Sequence, residues 1–314
     1  MKYINLDKYG KQTDPFYFSL EKHLLTLSGD FSFIWDVYPA VIIGKHQVAK
    51  QEVNLDYLKD NDIYLFRRPS GGGAVYSDEG CIKYTFISRN KTKDEMYEQY
   101  LKVIQNFLKT YGLDAVFSGR NDLLVDGYKF SGNAYYQTKD GNVLHGTILY
   151  DTNMEKLSQV LTPSVEKLSS KGVNSVKSRV INLVELIKIS REEFVRDFKN
   201  FLNHNEIFLT LEEEVIINNY RKIFNSNDYI YGLEPKYQNI KSQRFPYGEV
   251  IINYQVDKGK IINIKILGDF FEQDDIQNFE QSLLGQDINN LKVLKVNQYI
   301  DNMSDEDFLT LMKG

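Results

Sequence analysis

Three consecutive glycines, Gly71-Gly72-Gly73, set between Arg67-Arg68-Pro69-Ser70 and Ala74-Val75-Tyr76, constrain this chain more than any other feature. The flanking runs 62–68 and 81–87 are rich in β-branched and aromatic residues, so the glycines form a loop between strands. Such a loop has no side-chain wall, tolerates positive φ, and turns its backbone N–H groups into a concavity suited to phosphate oxygens. Arg67 and Arg68 add a charge-assisted clamp to that reading. A flexible hairpin tip is the alternative. The loop is neither a Walker A motif nor a dinucleotide fingerprint, because the Gly-Lys-Ser/Thr ending and the strand–glycine–helix context are missing.

The rest of the chain reads as an α+β protein with two domains. Its 314 residues, 42% hydrophobic, suffice for one large and one small core. No apolar run approaches the roughly 18 to 20 residues of a membrane span, and the N-terminus has no apolar signal block, so a cytoplasmic protein without membrane contact is expected. The single cysteine, Cys81, excludes an internal disulfide, and one thiol with four scattered histidines cannot build a cysteine-rich zinc site. Asp14-Pro15 opens a helix with Leu20, Leu24 and Leu27 on one face, and a long helix follows Asp94. Asp126-Gly127 and 139–142 mark two hairpins of antiparallel sheet. Ser190/Glu193 and Thr210/Glu213 announce helices at 191–204 and 211–224, and a further hairpin turns at 257–260. From Gly248 onward there are 6 basic and 12 acidic residues, whereas the whole chain has 38 and 43, so the charge deficit belongs to the C-terminal fifth. We therefore expect a large domain of mixed or antiparallel sheet flanked by helices at 1–245, and a small α/β accessory domain at 246–314. The near-neutral body lacks the basic field of a nucleic-acid binder.

Two further segments carry chemistry. In 119–136, Lys129 follows a tight turn and precedes Ser131-Gly132-Asn133-Ala134, whose small residues admit a large ligand; Lys129 would hold an anionic oxygen as a compact charge, or is a solvated strand lysine. Asn121 and Asp122 are candidates for a metal-bound phosphate or a routine turn element. His145-Gly146 on the returning strand is a candidate site pair or a packed strand histidine.

Taken in order, RRPSGGGAVY, KFSGNAYY and HGTILYD resemble the signature of the lipoate–protein ligase family, and the segment KLSSKGVNSVKSRVINLVEL extends the likeness. The resemblance implies an enzyme that joins lipoate to ATP with magnesium, releases pyrophosphate, and passes the lipoyl group from lipoyl-adenylate to a lysine of a lipoyl carrier domain. The expected carriers are 2-oxoacid dehydrogenase E2 subunits and the glycine cleavage H protein. It implies nucleotide contacts at Arg68, Gly73, Ala74, Val75, Tyr76, Asn121 and Asp122, and a catalytic Lys129 touching both nucleotide and lipoate. Lipoate contacts are implied at Ser70, Gly71, Gly72, Gly132, His145 and Gly146. No dedicated metal site is expected; magnesium arrives with ATP, with Asp122 beside it. Lys171, Gly172 and Lys177 are a candidate lid. Many members of the family continue the glycine loop with His-Asp-Leu-Gly-Asn, whereas this chain has Ser77-Asp78-Glu79-Gly80-Cys81. Related acyltransferases use a cysteine nucleophile, which makes an ATP-independent octanoyl or lipoyl transferase the rival reading; a non-catalytic binder is a third. Cys81 opens an alternating strand and reads as a small buried residue.

Overall fold

Strands of period-two alternation and amphipathic helices share this molecule, a computed structural model that describes residues 1–118, 121–161, 179–232 and 237–313. In chain order the strands of the first half are β1 (Lys2–Ile4), β2 (Phe31–Trp35), β3 (Ala40–Ile43), β4 (Tyr64–Arg67), β5 (Val75–Ser77) and β6 (Cys81–Ser88). Next come β7 (Ala115–Phe117), β8 (Asp122–Val125), β9 (Tyr128–Thr138), β10 (Gly141–Leu149) and β11 (Glu206–Ile207). The C-terminal strands are β12 (Asn239–Phe245), β13 (Gly248–Asp257) and β14 (Lys260–Gly268).

Eight of them form one mixed sheet in the order β11-β1-β2-β6-β10-β9-β8-β7. The centre, β2 to β8, is antiparallel throughout. One face packs against the helices Lys93–Lys109 and Arg191–Leu202, with Phe107 stacked on Phe198 at 4.6 Å between ring centroids and edge-on to Phe194 at 5.1 Å. The other packs against the helix Phe16–Leu24, backed by Leu211–Phe224. Thr92 with Glu95 and Thr210 with Glu213 form capping boxes that satisfy the first free N–H groups of their helices. Asp126-Gly127 and Lys258-Gly259 each have positive φ at both positions, the geometry of a two-residue hairpin turn.

A second sheet, β4-β3-β5, holds the glycine run. β3 lies between β4 and β5, parallel to one and antiparallel to the other, so 68–74 crosses over the end of β3. This loop therefore joins two strands that are not neighbours, and a hairpin tip is excluded.

The third sheet, β12-β13-β14, is an antiparallel meander covered by the helices Ile276–Leu283 and Asp305–Lys313. β12 pairs along its length with β13, so this sheet starts at Asn239, ahead of the boundary expected at 245. β12 is an edge strand of mostly polar residues with no buried face. No helix among the described residues is long and apolar enough to cross a membrane. The residues of the candidate lid, Lys171, Gly172 and Lys177, lie outside the described residues.

Phe107 is 2% exposed and sits where the aromatic rings of two helices meet the sheet. Phe107→Ala is expected to destabilise the protein by about 3 to 5 kcal/mol, seen as a lower denaturation midpoint in urea, because the aromatic cluster cannot collapse into the gap.

Candidate active site

The sheet register brings the three chemistry-bearing segments to one place. Across β2, β6, β10 and β9, Phe33, Thr85, His145 and Ala134 lie in one row, and Trp35, Lys83 and Thr147 in the next but one, on the same face. Above them the crossover loop contributes Gly73, Ala74 and Val75, and Lys129 closes the near end. Together they surround a cavity of about 180 Å³. Its walls are mixed: Phe18, Trp35, Ile42 and Phe271 are apolar, while Arg68, Lys83, Asn121 and Lys129 are polar or charged.

Lys129 is half-buried, and its Nζ lies 2.7 Å from Asp122 Oδ1. The pair straddles the β8–β9 turn, and a bulge between Leu123 and Leu124 adjusts the register there. The Lys129 backbone is clamped as well: its N–H donates to Arg179 O at 2.7 Å and its carbonyl accepts from Ile181 N at 3.0 Å. Gly132 leaves room for the ammonium, since a Cβ there would stand 3.2 Å from Lys129 Nζ. Asn121 is fixed by reciprocal bonds with Asn133, whose Oδ1 accepts from Tyr84 OH at 2.5 Å.

Both arginines of the loop are turned inward and spent on backbone. Arg67, 2% exposed, donates to the carbonyls of Gly44, Lys45, Gln47, Tyr229 and Ile230. Arg68 donates to the carbonyls of Ile42, Gly71 and Gly73 and to Ser70 Oγ. Burial lowers both guanidinium pKa values to about 10, and for Arg68 the neighbouring Arg67 adds to the shift. The pair does not form the free phosphate clamp expected from sequence: Arg68 borders the cavity with Nε, Nη1 and Nη2 each bonded to the protein, and Arg67 does not line it.

Of the expected acyl contacts, Gly132, His145 and Gly146 border the cavity, whereas Ser70, Gly71 and Gly72 do not. Gly71 and Gly72 instead receive the C-terminal module. A Cβ on Gly71 would meet Phe270 O at 2.5 Å, and one on Gly72, at φ +89°, would meet the Phe271 ring at 2.8 Å. Gly72 N also donates to Phe270 O. Of the expected nucleotide contacts, Tyr76 is removed from the cavity, its ring buried beside Val41, Ile43 and Leu58, and Asp122 reaches the site through Lys129. Cys81 does not line the cavity; it is fully buried, and burial pushes its thiol up to about 11.

Sequence reasoning missed Glu21, Trp35, Lys83 and Phe271. Lys83 carries the one available signal, a charge embedded in the apolar strand Cys81–Ser88, whereas Glu21 is followed by Lys22 and His23 and does not stand out; both are at most 1% exposed. Lys83 Nζ donates to Ser77 Oγ at 2.8 Å and to Cys81 O at 2.7 Å. Phe271 arrives from a different module and has no local signal. Beside it, Glu272 binds Lys45 and His46, and His46 stacks on Phe270 at 5.0 Å. No cluster of three or more potential metal-ligating side chains occurs among the described residues.

Residues 15–203 match the family model described as the lipoyl protein ligase A/B catalytic domain, and 234–312 match that of the bacterial lipoate protein ligase C-terminus. Lipoate-protein ligase LplJ of Bacillus subtilis is 33% identical over 291 residues, covering 87% of this chain and 88% of that protein. The crystal structure of P. falciparum LipL1 with lipoate shares the fold, with TM-score 0.77 at 24% identity, covering 99% and 97% of the two chains. A bipartite lipoate protein ligase from Thermoplasma acidophilum, described with its E2 lipoyl domain, gives TM-score 0.65 at 27% identity, covering 76% of this chain and 98% of that one.

The Glu272 contact sets a pH dependence for the junction between the two modules. Burial pushes its pKa up, but the hydrogen bond and charge of His46 and the charge of Lys45 outweigh it and hold the carboxyl down, from an ordinary 4.5 to about 2. A depressed carboxyl stabilises the fold fully above its ordinary range and loses that contribution as pH falls toward the folded value. Calorimetric melting between pH 5 and 2 is therefore expected to show a decline in Tm that is shallower in Glu272→Gln than in the unaltered protein.

Proposed function

The chain belongs to the lipoate–protein ligase family, and on that premise we propose that this cavity activates lipoate with ATP and passes the lipoyl group to a lysine of a carrier domain. The observation that carries the reading is the convergence of Lys129, the 73–75 backbone and His145 around one cavity. In the first step a lipoate carboxylate oxygen attacks the α-phosphorus of ATP, and pyrophosphate leaves. In the second, the carrier's ε-amine attacks the acyl carbonyl, its proton is lost, and AMP leaves as the amide forms.

Lys129 serves both steps. It is a fixed positive charge, oriented by Asp122 in the free protein, and its ammonium offsets the repulsion between carboxylate and phosphate while holding them in reacting geometry. As negative charge builds on the phosphate and then on the acyl oxygen, the same ammonium stabilises it. The loop at Gly73-Ala74-Val75 offers backbone without bulk to the nucleotide, and the buried charge of Arg68 adds a positive field behind it. Magnesium bound with the triphosphate would neutralise part of its charge. Asp122, a carboxylate that reaches the cavity through Lys129, would suit a cation held mainly by phosphate oxygens and water. Phe18, Trp35, Ile42 and Ala134 give the hydrocarbon chain and dithiolane a dry wall. The carriers in this reading are E2 subunits of 2-oxoacid dehydrogenases and the glycine cleavage H protein, and the setting is the cytoplasm, where ATP is at hand.

Incubation with ATP, magnesium and lipoate is expected to yield enzyme-bound lipoyl-AMP by mass spectrometry and stoichiometric pyrophosphate, and absence of both would refute the reading. Lys129→Met should lower adenylate formation by about 10²- to 10³-fold, the usual cost of losing a transition-state charge partner. Cys81→Ser should retain activity within about twofold; loss of all transfer would point instead to a thioester-forming transferase.

A further inference from the structure

A chain of hydrogen bonds runs from a buried carboxylate on the helix Phe16–Leu24 to the guanidinium under the glycine loop, and the direction of each bond can be assigned. Glu21 is fully buried. Thr85 Oγ1 accepts from Trp35 Nε1 at 3.0 Å, so its own proton goes to Glu21 Oε1, 2.9 Å away. Tyr136 OH donates to Glu21 Oε2 at 3.1 Å. A carboxylate collecting hydroxyl protons on both oxygens acts as an acceptor toward its third neighbour, His145 Nδ1 at 2.9 Å. With the imidazole neutral, His145 carries its proton on Nδ1 and its Nε2 accepts. The partner at Nε2 is Ser70 Oγ at 2.7 Å, whose proton is thereby committed. Ser70 Oγ in turn accepts from Arg68 Nε at 3.1 Å.

We propose that Glu21 is a positioning residue for acyl activation: through the Nδ1–H tautomer of His145 and the hydroxyl of Ser70 it fixes Arg68, and with it the carbonyls of Gly71 and Gly73 that Arg68 grips. The proposal rests on the reading of 73–75 as the nucleotide contact. Among the described residues no carboxylate forms an ion pair with Arg68, and the relay leads from Glu21 to it through His145 and Ser70, tying the helix, the central sheet and the crossover loop into one unit. A Ser-His-Glu constellation also suggests a hydrolytic nucleophile. Ser70 is unsuited to that task, because it is fully buried, does not border the cavity, and gives a lone pair to Arg68.

The tautomer is read directly from ¹⁵N imidazole shifts of the full-length protein. With four histidines in the chain, His145→Gln assigns the signal. A bare Nε2 and protonated Nδ1 are expected, and a protonated Nε2 in the unaltered protein overturns the proposal. Glu21→Gln, which keeps an acceptor and the side-chain shape, should lower kcat/KM for ATP in lipoyl-AMP formation by about tenfold, with KM for lipoate within about twofold. Glu21→Leu, if folded, should shift the ring toward Nε2–H. Unchanged ATP kinetics in Glu21→Gln, or equal losses for ATP and lipoate accompanied by a lower Tm, would reduce Glu21 to a packing role and refute the proposal. If the unaltered protein makes no lipoyl-AMP at all, the functional reading fails, whereas the tautomer result still judges the relay.

Discussion

Two adjacent guanidinium groups, buried and saturated by backbone carbonyls, hold this structure's functional region in shape. Charges are costly to bury without partners, and carbonyl oxygens are the partners a side-chain-free loop can supply. Arg67 ties the exit of β3 to the segment at 229–230, and Arg68 ties the end of β3 to the crossover loop. A glycine run that would be mobile alone thereby becomes a fixed wall, and the residues after it are delivered to the cavity with defined backbone direction. The glycines then serve a different purpose from the one their sequence suggests. Their missing side chains let Phe270 and Phe271 approach, so the loop is sandwiched between its own arginine below and the C-terminal module above.

The same economy governs Lys129. A half-buried ammonium beside a partner carboxylate is inexpensive to maintain, yet it remains a charge that an incoming anion can recruit. Clamping the Lys129 backbone on both sides, through Arg179 and Ile181, limits where that charge can go. Fixed charge facing a mixed polar and apolar cavity is the arrangement that reactions between two anions require.

What could be read from sequence was what local physics decides. The hairpins at Asp126-Gly127 and 257–260, the helix caps at Ser190 and Thr210, and the triple glycine each announce themselves within four residues, and each occurs where expected. The segments carrying Gly73, Lys129 and His145 stand out by residue type and are joined by the family resemblance, and the sheet register brings them together. Features decided by distant partners were illegible. The role of Arg67 depends on carbonyls more than 160 positions away, and Phe271 reaches the cavity from another module. β12 lacks the alternation of a strand with a dry face, and the parallel edge formed by β1 and β11 involves strands too short to show any period.

The isolation of Cys81 has a chemical corollary for a protein that handles a five-membered cyclic disulfide. A thiolate within reach of such a ring would open it by exchange, leaving a mixed disulfide in place of a bound substrate. Here the chain's one sulfhydryl is sealed in a strand, away from the cavity, with its ionised form disfavoured by burial. The reaction chamber is thus inert toward the oxidised sulfur of its cargo, and the ring can pass through activation and delivery without changing redox state.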